Sequence, residues 1–211
     1  MTDNVLKLVS PKGVASYPKL NEPDTKFKPD GEYSVSLICE PDDVKEFTDQ
    51  VRGCVKEYYK NQCAILKKKE LKLADLPIKE DADKEGNKTG KIKIKFTLGA
   101  KIKSKKTGTE WVQRPALFDT KGAIVSERIG GGSILKVACE VFPWYTPALG
   151  VGASLRCKAV QVIDLKSPSG VSNASAFGFT TEEEGFVSGG ESIPESVFTT
   201  ASPDIKGSSD F

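Results

Sequence analysis

Along the first 165 positions the chain alternates apolar with polar residues, then repeats its apolar residues at helical spacing, then alternates again. Val5 to Val9 alternates enough for a short strand. After a Pro-, Asp- and Lys-rich interval comes GEYSVSLIC, where Tyr33, Val35 and Leu37 alternate with Ser34 and Ser36, the mark of a half-buried strand. The step then becomes three and four. Val44, Phe47, Val51, Cys54, Val55, Tyr58 and Cys63 predict one amphipathic helix over residues 41–66. Pro41 suits its first position, Asp42 and Asp43 the positive end of its dipole, and Lys67, Lys68 and Lys69 the other end. The charged LKLADLPIKEDADKEGNKTG that follows is expected to be a mobile loop, broken at Gly86, Asn87 and Gly90.

The rest of the body reads as strand. KIKIKFTLGAKIK places Ile92, Ile94, Phe96 and Leu98 on one side and lysines on the other. KKTG turns the chain into TEWVQRPALFD, and DTKG at 119–122 turns it again toward the glycines 130–132, SILKVACEV and the last strand, ASLRCKAVQVIDL. Between those last two strands Pro143 and Pro147 bracket Trp144 and Tyr145, which predicts a stiff aromatic loop, since proline disrupts strand pairing. Five or more antiparallel strands and one helix predict a mainly β fold, a small closed barrel whose closure removes exposed edges. From Lys166 the composition turns to Ser, Gly, Thr and acids. The expected organisation is a binding body, 1–165, and a flexible, disordered acidic C-terminal tail, 166–211. Within the tail Phe177, Phe179, Phe186 and Phe198 are candidate docking elements.

Composition removes most catalytic chemistry. The 211 residues include no histidine and no Cys-x-x-Cys pair, which excludes nearly all zinc sites and the histidine-activated nucleophiles. The five scattered cysteines read as reduced core thiols of a cytosolic protein. GGGS at 130–133 lacks the Gly-Lys-Ser/Thr ending of a phosphate loop, and no carboxylate pair stands out as acid and base. The expectation is a binding protein, not an enzyme, with no cofactor. No apolar run is long enough for a membrane span, and the N-terminus does not read as a signal peptide. Net charge is +2 but uneven: residues 166–211 carry seven acids against two lysines, and the first 165 residues carry 29 bases against 22 acids. A basic body suits a polyanionic ligand, and the acidic tail could compete for the same surface.

Strand alternation then sorts side chains by face. Lys101, Lys103, Trp111 and Gln113 are expected outside and Val112 inside. Lys136 and Phe142 share the outer face of their strand, with Trp144 following. In the last strand Leu155, Cys157 and Ala159 are expected inside and Arg156 and Lys158 outside. Bases and aromatics on one face fit single-stranded nucleic acid, which offers phosphates to Lys and Arg and unpaired bases to rings, each stacked base contributing ~1–3 kcal/mol. The blander alternatives are a core or barrel-end role for Trp111 and Phe142, and a merely solvated lysine face.

The chain resembles the single-stranded DNA-binding proteins of tailed bacteriophages, of the type found in short-tailed enteric phages. The resemblance rests on Gly31-x-Tyr33-x-Val35-x-Leu37 before the helix, Asp119-Thr-Lys121-Gly122, Ile129-Gly-Gly-Gly-Ser133-x-Leu135-Lys136-Val137, Pro143 with its aromatics, Val151-Gly-Ala-Ser154, and the ending Asp210-Phe211. It implies an OB-fold, a five-stranded Greek-key barrel, that coats single-stranded DNA in replication in the cytoplasm of the infected bacterial host. It also implies that Trp144 and Tyr145 are base-stacking rings. Asp210 and Phe211 would recruit replication proteins such as the DNA polymerase, and a homodimer is a further expectation. The alternatives are an RNA chaperone on a similar barrel and an adaptor whose aromatic loop meets another protein.

Overall fold

In the computed structural model, which describes residues 5–103 and 108–168, the alternating segments pair and close on themselves. In chain order the elements are β1 (Leu6–Val9), β2 (Gly13–Asp24), β3 (Glu32–Cys39), α1 (Pro41–Leu66), β4 (Ile78–Ala82), β5 (Lys88–Gly99), β6 (Lys101–Lys103), β7 (Glu110–Val112), β8 (Ala116–Phe118), β9 (Ile134–Thr146) and β10 (Gly150–Asp164). Hydrogen bonds lead from β2 to β3, β5, β10, β9 and back to β2. This is a closed five-stranded barrel of the OB type, mainly β with one long helix, as the pattern and the resemblance predict. β1, β4 and β8 extend its margins, and β6 and β7 form a separate ribbon. One barrel contact is parallel, between β5 and β10, with Arg156 opposite Thr97. An odd number of strands cannot alternate direction all the way round a closed ring, so one such contact is unavoidable.

The inward residues of the five strands, among them Val35, Leu37, Ile94, Phe96, Leu135, Val137, Val141, Leu155 and Cys157, are buried together. α1 spans the residues its periodicity predicts and lays Val44, Phe47, Val51 and Val55 against that core, each side chain contributing ~1.5–3 kcal/mol. Phe47 meets Phe96 edge-on, ring centres 6.3 Å apart. The helix ends in a left-handed Lys67, whose N–H donates to the Ala64 carbonyl, so the lysines lie beyond the last turn instead of within it.

Several expectations are corrected. Residues 13–24, with Pro18 and Pro23, receive no element from the alternation but form β2; its pairing with β3 shifts register after Ser16 and after Lys19. Proline gives the ladder no N–H, so the strand keeps its course only by bulging. Residues 71–90 are not a loop throughout. The Tyr59 hydroxyl bonds Leu71, Leu73 bridges to Val151, and Ile78–Ala82 pairs with β5. Asp83 organises the intervening turn by accepting N–H bonds from Glu85 and Asn87. The expected single strand 91–103 breaks at a buried Ala100, after which β6 leaves the barrel. The KKTG turn lies partly outside the described residues.

Two further corrections concern β9 and β10. Trp144 and Tyr145 are not in a loop: β9 runs through Pro143 to Thr146, with Pro143 opposite Ala153 and Trp144 opposite Gly152. Lys158 is an extra residue, because Cys157 faces Cys139 and Ala159 already faces Ala138. Past this bulge the inward set moves on to Val160 and Val162, and Ala159, expected inside, falls on the outer face. β10 is followed by Lys166, whose N–H donates to Ser133 Oγ and whose carbonyl accepts from Gly130. The expected disorder of the tail falls almost wholly on residues outside those described.

The hairpin β9–β10 turns back at Gly150, φ 91°, where the Val151 N–H donates to the Lys72 carbonyl at 2.8 Å. A side chain at Gly150 would both strain the backbone and overlap that carbonyl. Gly150→Ala should destabilise the protein by ~2–4 kcal/mol in urea unfolding, a mechanism of large single-site loss, whereas Gly53→Ala, with open space around it, should not.

Candidate nucleic-acid interface

Because Leu135 to Val141 alternate into the barrel, Lys136, Glu140, Phe142 and Trp144 fall on its outside. The register of β9 with β10 sets their partners: Glu140 faces Arg156, Phe142 faces Ser154, and Trp144 faces Gly152. Each partner is suited to its neighbour. Gly152 has no Cβ, and one built there would stand 2.5 Å from Trp144 Cζ2, so the indole packs directly against the bare backbone. Its Nε1–H donates to Ser154 Oγ at 3.1 Å, which fixes the ring's rotation. The Arg156 guanidinium lies 3.5 Å from the centre of the Phe142 ring, within cation–π range. Burial lowers the Arg156 pKa while Glu140 opposes that shift; a guanidinium stays charged at neutral pH.

Phe142, Trp144, Ser154 and Arg156 line one cleft of about 310 Å³ together with Lys28, Glu32, Thr97, Ile102 and Gln113. Lys28 is ion-paired with Glu32, and Gln113 donates to the Gly99 carbonyl. A cleft floored by an edge-fixed indole and an arginine–phenylalanine stack presents flat apolar surface beside a fixed positive charge. That combination takes a planar ring carrying or adjoining an anion.

Of the residues picked out by sequence, the structure brings Phe142, Trp144 and Arg156 together. Trp111 lies directly opposite Ile102 in the β6–β7 ladder, so both side chains stand on the same face of the ribbon. Lys101 and Lys103 are on the other face, Lys103 paired with Glu110 at 2.8 Å. Val112 shares that face and is 74% exposed, against its expected burial. Lys158 sits at the bulge, 3.9 Å from Glu140, and Lys136 lies opposite Gln161, ~20 Å along β9 from Phe142 at strand rise. Tyr145 is on the inward side of β9 and packs against the core, not in the cleft. Asp210 and Phe211 lie outside the described residues.

Sequence reasoning did not find Lys28, Thr97, Ile102, Gln113 or Ser154 in this site. Thr97 carries no distinctive signal of its own; only the β5–β10 contact puts it opposite Arg156. Burial pushes the thiol of Cys39 to about 11 and those of Cys139 and Cys157 to about 12, so these core cysteines stay protonated and inert at neutral pH. Among the described residues no group of acidic, histidine or cysteine side chains could hold a metal, and no helix is long and apolar enough to cross a membrane.

The anchoring of Trp144 is directly measurable. In a Trp111→Phe background, Gly152→Ala should push the indole off the strand and shift its emission to the red. Ser154→Ala should remove one hydrogen bond, ~1 kcal/mol, with a smaller shift. Unchanged emission in both variants would show that neither residue holds the ring.

The sequence model of the family described as single-stranded DNA-binding protein, bacteriophage T7, matches residues 12–165. Among solved structures, the chain is similar to gp2.5, a single-stranded DNA-binding protein encoded by bacteriophage T7. The two share 25% identity and a TM-score of 0.65, over 87% of this chain and 98% of that one. It is also similar in fold to the single-stranded DNA-binding protein of bacteriophage Enc34 in complex with single-stranded DNA (18% identity, TM-score 0.56, covering 78% and 89%). The Enc34 protein in a second structure matches at 19% identity and TM-score 0.53, covering 81% and 89%. Among curated proteins, none matches the sequence significantly. The family is one of binding proteins and not of enzymes, and with its model covering most of the barrel, the chain belongs to the phage single-stranded DNA-binding protein family of the bacteriophage T7 type.

Proposed function

We propose that the chain binds single-stranded DNA without sequence preference and covers and protects it during phage DNA replication and recombination in the cytoplasm of the infected host. Residues 1–165 are the binding body and 166–211 an acidic tail. The observation that carries the reading is the outward cluster of Trp144, Phe142 and Arg156 in one cleft. A duplex keeps its bases stacked on each other and offers such rings little, whereas an unpaired base gains ~1–3 kcal/mol from each ring it stacks on. The outer-face bases Lys101, Lys136, Arg156 and Lys158 would meet the phosphates, with Lys103 and Trp111 at the β6–β7 ribbon.

Titration of intrinsic fluorescence with oligo-dT tests both terms. Neutralising about four phosphates should cost roughly fiftyfold in affinity between 50 and 200 mM salt. Trp144→Ala should weaken binding by ~1–3 kcal/mol while the protein still melts cooperatively. No quenching at any salt would favour an adaptor role. RNA competing better than DNA would favour an RNA chaperone.

The proposal extends to the chain's end. Phe211 beside Asp210 offers a ring and a charge to an apolar pocket with a basic rim. A replication protein such as the phage DNA polymerase is the partner, and self-association as a homodimer belongs to the same proposal. In a pull-down with that polymerase, removal of residues 166–211 should abolish capture and Phe211→Ala should reproduce much of the loss. Undiminished capture by both variants would overturn the role given to the tail.

A further inference from the structure

The loop between β2 and β3 separates two depressions on the surface. Lys28 borders the cleft that holds Trp144, and Lys26 borders a second groove, of about 660 Å³. Phe27 stands between them, 83% exposed, with the Lys26 ammonium 5.4 Å from its ring centre. The second groove is lined by Tyr17, Lys19, Lys26 and Arg128 and floored by the β2 bulge and the glycines 130 and 131. Tyr17 is 79% exposed, and its backbone sits at φ 49°, in the left-handed region that non-glycine residues rarely occupy. The protein therefore holds a large ring outward at a conformational cost, where it adds nothing to the core. That is an arrangement found where a side chain serves a ligand.

The charges of the groove agree. Its acids are Glu22 and Asp24; Glu22 is paired with Arg128 at 2.8 Å, and Asp24 accepts the Lys26 backbone N–H at 2.9 Å. The ammonium groups of Lys19 and Lys26 have no acidic partner among the described residues. Two exposed rings and two unneutralised cations thus lie on this groove and on the loop whose Lys28 lines the first cleft.

We propose that this groove is a second contact region for the same single strand: a polynucleotide seated against Trp144 crosses the loop over Phe27 and continues to Tyr17. Bases stack on Phe27 and Tyr17, and Lys26 and Lys19 meet the phosphates between them. The inference rests on the DNA-binding reading above and adds to it a length requirement. Short strands use the first cleft alone, and only longer ones reach the second groove.

Full-length protein is titrated with oligo-dT of about 4 and about 16 nucleotides, the bounds typical of one OB-fold. The double variant Tyr17→Ala/Phe27→Ala should bind the short strand like wild type and the long one at least about fivefold more weakly. Trp144→Ala should weaken both. Tyr17→Gly relieves the backbone and should melt at or above the wild-type temperature while still losing affinity for the long strand, which separates loss of contact from loss of fold. If the double variant matches wild type at both lengths while Trp144→Ala does not, the second groove is not a contact and the first cleft stands. Equal losses at both lengths would also overturn the proposal, since the rings would then belong to one short site. If wild type binds neither strand, the DNA-binding reading itself fails, and this one with it.

Discussion

The antiparallel pairing of β9 with β10 is the constraint on which the rest of the molecule depends. It runs from Thr146 opposite Gly150 to Ile134 opposite Asp164, the longest ladder among the described residues. β10 has the barrel's closing contact on its other side, and β9 has β1 and β2 on its other side. Register here sets everything outside the barrel as well. A slip of one residue would turn Leu155 and Cys157 to solvent and bury Arg156, at the cost of an unpaired charge in the core. The same register sets an indole over a glycine and a guanidinium over a phenylalanine.

The distribution of charge adds a second layer. Most of the lysines on the early part of β5 are engaged: Lys88 with Glu80, Lys91 with Glu40, Lys93 with Asp81. Exposed pairs of this kind contribute little stability, ~0–1 kcal/mol each. Their effect is to cancel field on one side of the barrel, so that the positive excess of the body is felt elsewhere. Arg156 stands directly opposite Glu140, which supports its charge against the burial that lowers its pKa, while its guanidinium lies over the Phe142 ring.

What could be read from the sequence follows the strength of each local signal. α1 was legible to its ends because seven apolar residues recur on one stripe behind a proline, and nothing tertiary contradicts that stripe. The inward faces of β3, β5 and early β9 were legible because strict alternation has a single solution when one side is buried. β2 was not, since its prolines mimic a loop and only its neighbours supply the pairing. The strand continuing through Pro143 was missed for the same reason: Pro143 needs no N–H partner opposite Ala153, a condition visible only once the register is known. Lys158 shows the limit of periodicity. One inserted residue inverts every assignment after it, and a bulge at a lysine leaves no mark in composition. In the site, Phe142 and Arg156 announced themselves as outward residues, but their contact with each other depends on the hairpin register and their neighbour Thr97 comes from a strand far back in the chain.

The parallel contact between β5 and β10 has a consequence for when the molecule becomes what it is. Thr97 and Arg156 are brought together across a chain separation that includes the β6–β7 ribbon, β8 and all of β9. Contacts of that span are entropically late, since the intervening loop must be ordered before the pairing rewards it. Two residues of the cleft, Ser154 and Arg156, are carried by the final strand of the barrel. During synthesis, then, the emerging chain has its helix and first hairpins before it has any barrel. The cleft is completed in one step, once residues up to Asp164 have cleared the ribosome. A partly made chain would have lysines but not the joined faces of Trp144 and Arg156, so on the proposed reading a seat for an unpaired base arrives all at once and last.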